Sequence, residues 1–318
     1  MKKYLLYFSL FLIFGFSCTQ VSKIINPIHP GKFADPTIVM QNDTFYIFAT
    51  IDPWGADKLA VLVTTDFKNW QQKKINWPTS ATCLSPTSGR DKVWAPCVIK
   101  APSGSFFMYV TVHNEVWVGT SQHPLGPWKN ARPDNTPIIN GNLFPNYHMI
   151  DAECFIDTDG IAYLYWGSGL NWENGHCFAA KLNTDMISFD GDVKDITPPN
   201  YFEAPYMFKR NNRYYLMYSQ GKCIDSSYKV RYSIGNTPFG PFTEGLNSPI
   251  LSTTNDSTTF GPGHHTVINI NSRDYIIYHR IADNNQTLLR ELCMDSLNFD
   301  TQGNIMKVNH EGVELFSK

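Results

Sequence analysis

The chain has 318 residues, is 42% hydrophobic and 14% aromatic, and carries a formal net charge of −2. That length can bury a large core, and so balanced a charge leaves no electrostatic footprint for nucleic acid.

The N-terminus, MKKYLLYFSLFLIFGFSC, reads as an export signal rather than as part of the fold. Lys2 and Lys3 precede an apolar run over residues 4–16, which is too short to cross a bilayer as a stable helix. Ser17 and Cys18 follow, an arrangement that resembles a bacterial lipoprotein signal. Residues 1–17 are therefore expected to be removed and Cys18 lipidated, with an ordinary signal peptide as the alternative. Residues 18–25 read as a linker and 26–318 as one domain of an exported, envelope-anchored protein. The other cysteines, Cys83, Cys97, Cys154, Cys177, Cys223 and Cys293, form no C-x-x-C pair. That argues against a zinc site and for scattered buried thiols.

After residue 25 short aromatic and β-branched runs take the place of any helical period. FYIFAT, FFMYVT, AYLYWGS, RYYLMYS and YIIYH each read as the second strand of a hairpin. The first strands open on Asp35, Trp94, Asp151, Glu203 and His264, spaced 52 to 61 residues apart. An aromatic opens each second strand: Tyr46, Phe107, Tyr163, Tyr215 and Tyr275. Another aromatic series, Trp70, Trp128, Phe189, Phe242 and Phe299, keeps the same period. Such self-similarity signals a repeat architecture. Five four-stranded sheets closed around a channel make an all-β, five-bladed β-propeller. A β-sandwich would leave two series in register unexplained.

Innermost strands of a propeller all begin at one end of the channel, so the five markers are expected at one mouth. Neighbouring blades set Asp151 beside Glu203, while Asp35 faces Glu203 across the opening. A like charge and partial desolvation raise a carboxyl pKa. Glu203 is accordingly read as a proton donor, Asp151 as its electrostatic neighbour and Asp35 as the ionised group that activates water. Acid and base on opposite sides of a pocket suit inverting glycoside hydrolysis, with carboxyl groups about 6.5–9.5 Å apart. Taken singly, Asp35-Pro36 is an ordinary turn, Trp94 core and His264 a buried histidine; their common position carries the functional reading. Asp43, Asp157 and Asp159 read as turn residues. Glu153 is expected to alternate away from the channel and to take no catalytic part.

The motifs at these positions resemble those of glycoside hydrolase family 43: Ala34-Asp35-Pro36, Ile150-Asp151, Glu203-Ala204-Pro205 and Gly261-Pro262-Gly263-His264. The resemblance covers residues 26–318 and implies an inverting enzyme on a five-bladed propeller. It implies Asp35 as general base, Glu203 as general acid, and Asp151 as the residue that tunes and orients the acid. It further implies that Arg290 reaches the sugar and the carboxylates, and that His264 faces the channel. No cofactor is implied as a requirement, although in relatives that histidine helps to bind a calcium ion or water. Ala204 stands where glycine is commoner, and Ala152 where many members have proline. The implied partners are arabinose- or xylose-containing glycans, with no protein partner. Trp166 and Trp172, and with them Trp117, are candidates to pack on sugar faces beside Trp94. The preferred reading is an exo-acting α-L-arabinofuranosidase. Its alternatives are a β-D-xylosidase, an endo-arabinanase, a non-catalytic carbohydrate-binding propeller and a phosphorolytic enzyme. The last would need more cationic side chains at the mouth than Arg290.

Overall fold

The computed structural model describes residues 21–282 and 288–316. The signal segment and Cys18 lie outside the described residues. The strands form five antiparallel sheets in a ring, a β-propeller, and a short 3₁₀ turn at Leu170–Trp172 is the helical element among the described residues. The inner strands are Phe33–Gln41, Val93–Lys100, Glu153–Ile156, Glu203–Arg210 and Gly263–Ile270. Their hairpin partners are Thr44–Ile51, Phe106–Val112, Ala162–Trp166, Arg213–Gln220 and Arg273–Ile281. Blades one to four have four strands, as expected, but the fifth has three.

The fifth blade is completed differently because the two chain ends meet there. Val21–Ile24 pairs antiparallel with Val313–Phe316, so residues 21–24, read from sequence as linker, are strand. The following residues run along the edge of the fifth blade: Ile28 N–H donates to the Leu292 carbonyl at 2.9 Å, and Met294 N–H donates to Asn26 Oδ1 at 2.8 Å. An open sheet edge is thereby covered.

The hydrophobic core is not one mass but five slabs, one between each pair of neighbouring blades. Both aromatic series follow this division. Tyr46, Phe107, Tyr163, Tyr215 and Tyr275 are all buried, and each belongs to a different slab. Trp128 lies in the slab between blades one and two, and Trp70, Phe189, Phe242 and Phe299 pack one each on the others. The long sequence period is thus the spacing of ring-to-ring packing. All six described cysteines are buried free thiols.

Candidate active site

At the mouth of the channel the backbone of every inner strand is forced into the left-handed region. Asp35, Ala95, Asp151, Ala204 and His264 have φ of 52°, 42°, 59°, 54° and 41°. Such angles are uncommon for residues with a Cβ, and the ladder register slips beside four of them. These bulges correct the expected alignment: Trp94 and Glu203 stand one residue ahead of the positions held by Asp35, Asp151 and His264. A bulge re-aims side chains locally, and all five expected mouth residues line one pocket of about 260 Å³.

The strained N–H groups are satisfied by the preceding blade. Ala95 donates to Thr50 Oγ1 (2.8 Å), Asp151 to Thr111 Oγ1 (3.1 Å) and His264 to Ser219 Oγ (2.9 Å). Asp35 donates to His279 Nδ1 (3.2 Å), which closes the ring from blade five to blade one. Each acceptor lies one or two residues before the end of a second strand. They are the polar last residues of the runs FYIFAT, FFMYVT, RYYLMYS and YIIYH, for which composition suggests only strand. Buried backbone donors demand partners, and that was the available signal.

Asp35 is 2% exposed and embedded in donors. Thr50 Oγ1 donates to its Oδ2 at 2.7 Å and Arg290 Nη1 to its Oδ1 at 3.0 Å. His264 Nδ1 lies 3.2 Å from Oδ1, as does His279 Nδ1, the nitrogen that accepts the Asp35 N–H. Burial alone would push the carboxyl up, but Arg290 and the two histidines hold it well below the usual carboxylate range.

Glu203 has the opposite balance. Burial pushes it up, to about 7, against hydrogen bonds that favour its ionised form. Those bonds come from Tyr228 Oη to Oε1 (2.7 Å) and Ser168 Oγ to Oε2 (2.9 Å). Asp151 is also raised well above the ordinary value, by burial first and then by the charges of Glu203 and Asp35. The Ala204 N–H faces its carboxyl, tying it to the strand that carries Glu203. Two buried carboxyls coupled in this way titrate as a pair.

Arg290 is fixed from behind by Asp52, a residue not singled out from sequence. Asp52 accepts from Arg290 Nη2 at 2.7 Å, from Nε at 3.1 Å and from the backbone N–H at 2.6 Å. This fork geometry leaves Nη1 for Asp35. Trp94 and Trp172 line the pocket, as expected, and Trp172 stacks on Phe202 with ring centres 6.0 Å apart. Trp166 does not. It is fully buried in the slab between blades two and three, stacked on Phe189 at 5.6 Å, so its expected sugar contact is corrected to a core role. Trp117 is likewise core. Glu153 is outside the pocket, where burial pushes it to about 8 beside Cys97.

The His264 side chain is oriented by the carboxylates of the pocket. Its Nδ1 is turned to Asp35 and, at 3.7 Å, to Asp151. Among the described residues no three His, Cys, Asp or Glu side chains converge on a cation site.

An aspartate held low by an arginine and two carboxyls raised by burial, in one pocket at the mouth of a five-bladed propeller, mark the class of the glycoside hydrolases. The family described as Glycosyl hydrolases family 43 matches residues 24–305, and the chain belongs to it. It is 33% identical, over 93% of its length and 88% of the relative's, to a β-D-galactofuranosidase of Aspergillus niger. It is 28% identical to an arabinoxylan arabinofuranohydrolase of Paenibacillus polymyxa, over 80% of this chain and 46% of that one. Among solved structures, an α-L-arabinofuranosidase from Clostridium thermocellum superposes with a TM-score of 0.70 at 26% identity, covering 88% of this chain and 95% of that one.

Proposed function

We propose that the protein is an exo-acting, inverting α-L-arabinofuranosidase. Glu203, protonated near neutral pH, delivers its proton to the departing glycosidic oxygen. Asp35, ionised, draws a proton from a water molecule that attacks the anomeric carbon from the opposite face. Each bond made or broken at that carbon then has its own proton partner, and the configuration inverts. Asp151 holds Glu203's proton by like charge, while Arg290 and His264 meet sugar hydroxyls. The observation that carries this reading is the contrast between two buried carboxyls in one pocket: Asp35 accepts from the Arg290 guanidinium at 3.0 Å, while Glu203 accepts from the neutral hydroxyls of Tyr228 and Ser168.

A second reading, hydrolysis of β-D-galactofuranosides, is favoured by the 33% identity to the Aspergillus niger relative. Its chemistry is close. The α-L-arabinofuranosyl ring is the β-D-galactofuranosyl ring without one carbinol group, so one pocket can present the same contacts to both. Aryl α-L-arabinofuranoside, β-D-galactofuranoside and β-D-xyloside assayed side by side decide the matter, with Asp35→Asn and Glu203→Gln as controls. Turnover of the xyloside alone would overturn the furanosidase reading, and turnover of none would favour a binding propeller. Proton NMR during early turnover tests inversion. Export and lipidation at Cys18 are a proposal from the N-terminal segment, tested by mass spectrometry of the mature N-terminus.

A further inference from the structure

Two tryptophans from non-adjacent blades meet over the pocket. Trp54 lies in the loop after the second strand of blade one, and Trp172 ends the 3₁₀ turn Leu170–Trp172 of blade three. Their ring centres are 6.4 Å apart, inclined at 52°. Both line the pocket. Trp54 also covers the Arg290 guanidinium at 5.8 Å, and Trp172 stacks on Phe202, next to Glu203. An aromatic span thus runs from Arg290, which holds Asp35, to the residue beside Glu203.

The backbone supports the view that this meeting is imposed rather than incidental. Trp54 and Trp172 have φ of 58° and 64°, and Asn171 beside them 53°. For bulky residues such angles are outliers, tolerated where the surroundings enforce them and concentrated at functional sites. Trp54 is moreover 42% exposed, so burial of its ring does not account for its position.

We propose that Trp54 and Trp172 form a bridge that makes the site specific for chain ends. A glycan cleaved internally must leave the reacting bond in two directions. Two indoles in contact leave no passage for a sugar ring between them, so one direction is closed. Trp54 is thereby a specificity-determining residue, and the inference rests on the exo-furanosidase reading given above.

The test compares the full chain with Trp54→Gly and Trp54→Ala/Trp172→Ala on linear (1→5)-α-L-arabinan, with aryl α-L-arabinofuranoside and β-D-galactofuranoside in parallel. The readout is the early ratio of oligosaccharide to monosaccharide, which is independent of absolute rate. The natural chain is expected to release monosaccharide, and both variants to raise the ratio on the order of tenfold or more. Glycine adopts positive φ freely, so Trp54→Gly is also expected to melt at or above the natural chain's temperature. A lower melting temperature with an unchanged ratio would assign Trp54 to packing and overturn the bridge. Oligosaccharides from the natural chain at the outset would also overturn it while leaving the furanosidase reading intact. No turnover of either aryl furanoside would remove that reading and the bridge together.

Discussion

Tyr228 donates its hydroxyl to Glu203 Oε1 at 2.7 Å, from a ring lying parallel to that of His279, 5.7 Å away. A donor of this kind stabilises the carboxylate over the acid. Glu203 is thus poised near neutrality because burial raises it while Tyr228 and Ser168 restrain it. Removing one restraint has a definite sign. In Tyr228→Phe the ionised form loses a charge-assisted hydrogen bond, so Glu203 keeps its proton to higher pH. The basic limb of the pH–rate profile is expected to rise by about one unit. A limb that falls would show that Tyr228 acts on some other group.

Asp151→Asn should move the same limb the other way. Asp151 is raised by burial and then by the charge of Glu203, so the two compete for a proton. If the active form carries it on Glu203, the charge of Asp151 delays its loss, and asparagine removes that delay. The limb is expected to move to lower pH. An unmoved limb would locate the shared proton on Asp151 and reverse the assignment within the pair.

The two catalytic assignments separate by leaving group. Glu203→Gln removes the proton donor, so substrates with poor leaving groups should lose about 10²–10⁴ in rate, and an activated aryl furanoside much less. Asp35→Asn removes water activation and should depress both alike. Asp35 is held well below the usual carboxylate range by Arg290, so its protonation is not expected to shape the profile between pH 5 and 8. Equal losses on both substrates in Glu203→Gln would contradict its role as acid.

Gly263 offers a test of the support behind the acid. A Cβ at that position would lie 2.0 Å from Tyr228 Cε1, so Gly263→Ala must displace the tyrosine ring. Overpacking of this sort costs about 1–3 kcal/mol, read as a lower melting temperature. Because the displaced ring is the donor to Glu203, the basic limb should also rise, as in Tyr228→Phe. A stability loss with no shift of the limb would mean that Tyr228 keeps its contact despite the added methyl.

Much of the site was legible in the chain because the fold repeats. Asp35, Asp151, Glu203, Trp94 and His264 were found as recurring strand openings, and the pocket contains all five. The one-residue offset of Trp94 and Glu203 was hidden, because a bulge leaves no mark in composition. Trp166 was misread because aromatic content alone does not tell a pocket wall from a slab between blades. Asp52, Tyr228, Ser168 and Trp54 were missed because each lies outside the inner strands. Their partners are 25 to 238 residues away for the first three.

By itself the amino-acid order determined the number of blades, the residues offered at the mouth and the aromatic fill between neighbouring sheets. Those properties are periodic, and hydrophobic pattern reports them directly. Only the tertiary structure showed which groups set each carboxyl's affinity for a proton. Asp35 and Glu203 are both buried acids; what separates them is Arg290, held by Asp52, against one and phenol and serine hydroxyls against the other. Electrostatic energy depends on distance through space, and a closed ring makes spatial neighbours of residues far apart in sequence.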